Sequence, residues 1–296
     1  MDLRVGAAQF PVGGDPAANA DEVCSLMAAA RAGGARLVVF PESALSGYTP
    51  AEFPDLTTFD WEALDRATER VREAAASAGL WVVLGTIARS GDPDRPRNSA
   101  LVLAPDGSVQ GRYDKRLLAR SELAHFQPGS SPFLFEVDGY RCGVAICHEW
   151  RYPEVYREYA RLGADVVLHC WYDGAYESEA WEREGKGLME VIPATARAHA
   201  VCNHLWVVGS NTSKARSAFA PFVVRPDGGV EAAGEREGAG MVIADLSPRA
   251  GFTDGSAHHR LRLLEGCRAR PRRGRGAEGS PVRSPRIPRG GPGSAP

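Results

Sequence analysis

The chain predicts an α/β fold whose helices cover sheets that mix parallel and antiparallel strands. Two observations predict it. Short apolar runs alternate with helical patterns from Leu3 to Leu246, and such alternation places helices on sheet faces. Tight turns at Asp138-Gly139, Pro105-Asp106-Gly107 and Pro226-Asp227-Gly228 join successive strand-like runs, so hairpins accompany any parallel core. A purely parallel, doubly wound sheet fits less well.

The elements follow in order. Leu3 to Gln9 reads as a first strand, and Ala17 to Gly33 as a helix that stops at Gly33-Gly34. Leu37 to Phe40 is a short buried strand ending at Pro41. Trp61 to Ala78 is an amphipathic helix closed by Gly79. Trp81 to Ile87 and Ser99 to Ala104 are strands, the second leading into a turn and a further strand-like run. Phe133 to Val137 and Arg141 to Ile146 form a hairpin; Pro153 to Leu162 is a helix and Asp165 to His169 a strand. Lys186 to Cys202 is a helix that either kinks or begins at Pro193. Leu205 to Gly209, Ala218 to Arg225 and Gly240 to Leu246 are the last strands.

The charge balance is uneven. Of 35 basic residues, 32 are Arg, and Lys occurs only at 115, 186 and 214. Lys is a compact, titratable point charge, so each one is a candidate for chemistry. The formal charge of −2 argues against a nucleic-acid binder. Residues 268–296 hold eight Arg and one Glu, which is +7, leaving about −9 on the body. That Arg/Pro/Gly-rich tail cannot bury a core and is expected to be disordered. An abrupt compositional change of this kind also fits a shifted reading frame. A domain over residues 1–266 and a basic tail over 267–296 are therefore expected. No apolar window of 18 residues or secretory signal is evident, and the six Cys form no C-x-x-C pair. These features predict a cytoplasmic protein with free thiols.

Three strand ends each deliver one reactive residue: Glu42 after Leu37 to Pro41, Lys115 after Gly111 to Asp114, and Cys147 after Gly143 to Ile146. In α/β folds functional groups collect at such ends. A thiol attacks only as thiolate and needs a base or a cation beside it. Glu42 is a candidate base. Lys115 is a candidate stabiliser of the thiolate and of an oxyanion, with the backbone N–H of His148 as a second donor. Taken singly, each residue has an ordinary alternative: a buried apolar thiol, a loop carboxylate, a surface lysine.

Three segments together carry a resemblance. Val38-Val39-Phe40-Pro41-Glu42-Ser43-Ala44-Leu45-Ser46-Gly47-Tyr48, then Tyr113-Asp114-Lys115, then Gly143 through Cys147-His148-Glu149-Trp150-Arg151-Tyr152-Pro153-Glu154 resemble the three signatures of the nitrilase superfamily of carbon–nitrogen hydrolases, in the family's order. The resemblance runs from Leu3 to about Leu246. It implies a four-layer α-β-β-α sandwich of the nitrilase-like type and association as a homodimer. It implies attack by Cys147 on a small amide or N-carbamoyl compound, release of ammonia or an amine, and hydrolysis of the thioester by water. It implies no cofactor and no metal. Glu122 matches a second glutamate that helps position the lysine or substrate. His169 and Trp171 fall in a stretch that lines the substrate pocket in the family, which makes them, with His148, the candidates for substrate binding.

The chain departs from the pattern. Glu149 stands where Asp is commoner and Tyr152 where Phe is. His199 and Cys202 stand where members often carry Arg and Glu, so a structural salt bridge is missing or rebuilt. His148-Glu149-Trp150-Arg151-Tyr152 lacks the second His of a zinc protease motif, and His169-Cys170 and His258-His259 lack flanking ligands. Three alternatives remain at this level: nitrile hydrolysis by the same residues, a Cys/His thiol enzyme or redox sensor using Cys147, and a non-enzymatic interaction protein acting through its basic tail.

Overall fold

The computed structural model describes residues 1–92 and 95–257. The basic tail and His258-His259 lie outside the described residues. Twelve strands occur among the described residues: β1 (Leu3–Gln9), β2 (Leu37–Val39), β3 (Trp81–Ala88), β4 (Arg97–Leu103), β5 (Val109–Asp114), β6 (Leu134–Val137), β7 (Tyr140–Ile146), β8 (Val166–Cys170), β9 (Trp206–Ser210), β10 (Phe222–Val224), β11 (Val230–Ala233) and β12 (Gly240–Leu246). They form two six-stranded sheets, ordered β12-β1-β2-β3-β4-β5 and β11-β10-β9-β8-β7-β6. Each sheet has a parallel trio, β1-β2-β3 or β7-β8-β9, flanked by antiparallel strands. Both the mixed pairing and the turns at 105–107, 138–139 and 226–228 agree with the sequence.

The alternation of side chains along each strand sorts the core into layers. Leu3, Val5, Ala7, Leu37 and Val39 of one sheet meet Val144, Ile146, Val166, Leu168 and Val208 of the other in an inter-sheet cluster. The intervening residues Ala8, Val38, Phe40 and Val82 face α1 (Pro16–Ala32) and α2 (Trp61–Ala78). Ala145, Val167 and Val207 face α3 (Pro153–Arg161) and the long helix over Lys186–Asn203. Three clusters between four layers make an α-β-β-α sandwich. Burial on both faces explains why the central strands read as near-continuous apolar runs.

Local chemistry sets the element ends. Asp15 and Asp60 cap α1 and α2, accepting from the backbone N–H of Ala17 and Ala63 at 2.9 Å each. Gly79 closes α2 with φ 63°. A single turn, α4 (Ser178–Ala180), leads through a π-helical stretch (Trp181–Gly185) into α5 (Lys186–Asn203). That helix begins at Lys186 and remains helical across Pro193, so the start at Pro193 that the sequence allowed does not occur. The strand expected over Ala218 to Arg225 shrinks to Phe222–Val224. Pro221 precedes it and has no N–H for a ladder.

Candidate active site

Glu42, Lys115 and Cys147 converge at one end of the sandwich, each just beyond a strand. Glu42 leaves β2 and sits over β3, where Gly85 leaves room: a Cβ there would lie 2.0 Å from the Pro41 carbonyl oxygen and 2.7 Å from the Glu42 Cα. The Glu42 backbone N–H donates to the Trp171 carbonyl (3.2 Å), and the Tyr172 N–H donates to Glu42 Oε2 (3.1 Å). Those two bonds tie the end of β2 to the segment after β8 in the other sheet. Lys115 continues β5, with its N–H on the Asn98 carbonyl at 2.8 Å.

Lys115 Nζ donates to Glu42 Oε1 at 2.7 Å and to Glu122 Oε1 at 2.8 Å, and all three side chains are wholly buried. Glu122 ends a one-turn helix, Arg120–Glu122, and its Oε2 accepts from the Ala119 N–H at 2.6 Å. Asn98 Nδ2 completes the knot, donating to Glu42 Oε1 (2.7 Å) and Glu122 Oε1 (2.8 Å). Buried charges survive only when paired and hydrogen-bonded in this way. Burial opposes the charge on Lys115, but the two carboxylates win and hold it as ammonium. Burial pushes the Glu42 carboxyl up against the pull of Lys115. Glu122, also desolvated, is held below the usual range by Lys115, the Ala119 N–H and Asn98. Glu42 is therefore the more readily protonated of the two carboxylates.

Cys147 begins the short 3-10 turn Cys147–Arg151 after β7, with φ 41°. A non-glycine residue in the left-handed region is a strained conformation that cores rarely keep without a use. His169 braces it: Nε2 lies 3.2 Å from the Cys147 carbonyl oxygen and Nδ1 lies 2.6 Å from the Tyr156 hydroxyl. The half-buried sulfur lies 3.9 Å from the Tyr172 carbonyl oxygen, and the charges of Glu42 and Lys115 both act on it. Desolvation, followed by Glu42, pushes the thiol well up, while Lys115 pulls it down. At rest the sulfur is therefore a thiol. Glu149, buried beside it, accepts from the N–H of Ile146 (2.8 Å), the Tyr113 hydroxyl (2.7 Å) and the N–H of Arg116 (2.8 Å). One carboxylate thus ties the start of the Cys147 turn to the residue after Lys115, a reach that suits the longer side chain found here.

A cleft of about 650 Å³ opens over Cys147, lined by Tyr48, Glu52, His148, Arg151, Tyr172 and Asp173 among others. His148 is half-buried there and is held below the usual histidine range by burial, Lys115 and Arg151. His169 and Trp171 do not line it. Both are fully buried, stacked at 3.5 Å between ring centroids, on the helix side of the second sheet. Strand alternation sends them away from the cleft, and Tyr172 and Asp173 line it instead. Sequence reasoning missed Asn98, Tyr48 and Asp173. Asn98 was visible as a polar residue in an apolar strand, and Tyr48 closes the first signature segment. Tyr48 stacks on Tyr172 at 4.7 Å, and burial with the nearby Glu122 and Glu42 keeps its hydroxyl protonated.

The departures at 199 and 202 are rebuilt without a salt bridge. His199 Nε2 lies 2.9 Å from the Trp150 carbonyl oxygen, and its ring stacks on Tyr156 at 4.0 Å. Cys202 is exposed.

A sandwich of this order, with a cysteine, a lysine and a carboxylate beyond its strand ends and a second carboxylate from a one-turn helix, has the groups that thiol-based hydrolysis requires. The carbon-nitrogen hydrolase family model matches residues 4–252, and the chain belongs to that family. It is 32% identical over 189 residues to a hydrolase of Mycobacterium tuberculosis, a match covering 60% of this chain and 65% of the relative. It is 27% identical over 230 residues to an omega-amidase of Xenopus tropicalis, covering 75% and 78% of the two chains. An amidase from Nesterenkonia of the nitrilase superfamily superposes with a TM-score of 0.73 at 25% identity, over 89% of this chain and 96% of that one. A Glu→Gln variant of that amidase carries the acetamide moiety of fluoroacetamide on its active-site cysteine (TM-score 0.72, 25% identity, 90% and 96% covered).

Proposed function

We propose that the chain hydrolyses a small non-peptide amide or N-carbamoyl compound through a thioester on Cys147. The observation that carries this reading is the buried Glu42–Lys115–Glu122 knot, with Cys147 lining the cleft within reach of the charges of Glu42 and Lys115. In this reading Glu42 takes the thiol proton as sulfur attacks the carbonyl carbon. Lys115 and the His148 N–H stabilise the oxyanion. The tetrahedral intermediate collapses, the C–N bond breaks, and Glu42 returns the proton to the departing nitrogen. Glu42 then takes a proton from water, which attacks the thioester and releases the acid and the thiol. Lys115, locked as ammonium, acts as a fixed positive charge, and Glu122 positions it. The five described cysteines are free, which supports a reducing, cytoplasmic setting, and the reading includes a homodimer.

An ammonia-release screen over amides, N-carbamoyl amino acids and nitriles tests the proposal. Release on at least one amide or carbamoyl compound is expected, with none from Cys147→Ala. Undiminished release from that variant overturns the reading. A nitrile as the sole substrate would favour the other chemistry.

A further inference from the structure

The cleft contains one buried carboxylate that neither the fold nor the reaction uses. Asp173 is 7% exposed. Its backbone is pinned on both sides: the N–H donates to Asn211 Oδ1 (2.8 Å), and the carbonyl accepts from Asn211 Nδ2 (3.1 Å), Ser217 Oγ (3.1 Å) and the Ala218 N–H (3.2 Å). The side chain has no comparable role. Oδ1 is buried and accepts no hydrogen bond, which is a costly state for a carboxylate oxygen. Burial pushes the carboxyl up to about 6, with Tyr176 and Arg151 pulling it down. The charge also acts on Cys147, so Asp173 stands close to the nucleophile.

The neighbouring charges answer it only in part. Lys214 is bound to Glu52 at 2.5 Å, and Glu52 also accepts from the Tyr172 hydroxyl at 2.6 Å. The Arg151 guanidinium lies over the Trp150 ring at 4.4 Å, and Glu177 adds a further negative charge to the rim. With the Glu52–Lys214 pair neutral, Arg151 is the remaining fixed cation of the lining, and it stands against two carboxylates, Asp173 and Glu177. His148, held below the usual histidine range, adds no fixed cation.

We propose that Asp173 is a specificity residue that receives an ammonium group on the acyl side of the substrate, so that the preferred substrates are small amides of amino-substituted acids. A cationic N–H donor is the partner that satisfies both the charge and the open Oδ1. The pinned backbone presets the acceptor, so little ordering is lost on binding. This rests on the amide-hydrolase reading above and names the substrate class for that site.

The test compares 4-aminobutanamide with its neutral isostere pentanamide and the anionic succinamic acid, in wild type, Asp173→Asn and Asp173→Ala. Ammonia release reads kcat/KM, and calorimetric titration of Cys147→Ala reads binding with no chemistry. Wild type is expected to prefer the ammonium-bearing amide over pentanamide by about tenfold or more, mainly in KM. Asp173→Asn is expected to bring that ratio close to one. The same preference is expected in binding to Cys147→Ala, and its loss in the double variant with Asp173→Asn. Equal or reversed preference in wild type overturns the proposal, as does a preference that survives Asp173→Asn. Ammonium-selective binding without turnover of any amide by wild type would sink the reaction reading and leave the Asp173 assignment standing.

Discussion

The two sheets contribute to the site in opposite ways. The first sheet delivers Glu42 and Lys115 from β2 and β5, wholly buried and bonded to Glu122 and Asn98. The second delivers Cys147 from β7, at the floor of the cleft and in a left-handed conformation, with Tyr172 and Asp173 beyond β8. In the first sheet, function and stability share the same atoms, because each buried charge is the counter-ion of another. In the second, Cys147, the proposed nucleophile, ends a strand and neutralises nothing at rest. Activity should therefore be separable from stability on one side of the cleft and inseparable on the other.

Variants at Lys115 and Cys147 break the comparison most sharply. Both Lys115→Ala and Cys147→Ala should lose ammonia release to background. Urea unfolding should then separate them. Lys115→Ala leaves two carboxylates without their cation and should cost about 3–5 kcal/mol, whereas Cys147→Ala should stay within about 1 kcal/mol of wild type. Equal stability losses in the two variants would remove the distinction.

Gly85→Ala tests whether the first sheet's geometry depends on close backbone approach. The added methyl meets Pro41 and Glu42 backbone atoms at 2.0 and 2.7 Å, well inside van der Waals contact. Displacement of Glu42 by an ångström should lower kcat about a hundredfold, with a stability cost of about 1–3 kcal/mol. Wild-type kcat in this variant would show that the Glu42 loop is free to move.

Glu149→Gln probes the bond between the two sheets. The carboxylate accepts from the Ile146 N–H with one oxygen and from Tyr113 and Arg116 with the other, and an amide nitrogen cannot accept. About 1–3 kcal/mol of stability should be lost, with kcat falling more than KM rises. A purely structural role would lower the melting temperature and leave the kcat of the folded fraction intact.

The pH profile sharpens the assignment of the base. In the proposed mechanism Glu42 accepts the thiol proton only when ionised, and its folded pKa is raised. Turnover should thus fall as pH falls through a value above the ordinary carboxylate range. Glu122 contributes to that rise as a like charge, so Glu122→Gln should move the acid limb to lower pH. A limb that stays put would transfer the base to another group. The smallest effect is expected at the solvent-exposed Arg89–Asp65 pair (2.9 Å), where Arg89→Ala should cost under about 1 kcal/mol by urea unfolding. That contrast sets burial, rather than charge alone, as the source of the Lys115 effect.

Much of this was legible in the residues. Strand ends carrying Glu42, Lys115 and Cys147 follow from local apolar runs, and local patterns survive folding well. The turns at 105–107, 138–139 and 226–228 were readable because Gly and Asp specify them. What the sequence did not show depends on registry and distance. The pocket placement expected for His169 and Trp171 failed because one residue along a strand changes the face. Asn98 is 56 residues from Glu42 and 24 from Glu122 in the chain, and only sheet pairing makes it their shared donor. Helical continuity across Pro193 was decided by packing of α5 on the second sheet rather than by the proline itself.

The central claim, that the second sheet supplies the nucleophile, is tested most directly by rapid-quench intact mass measurement during turnover of a small amide. A transient mass increase equal to the substrate minus ammonia is expected, mapped by peptide digestion to the segment containing Cys147. Steady turnover with that segment unmodified, and the acyl group found on another residue, would contradict it.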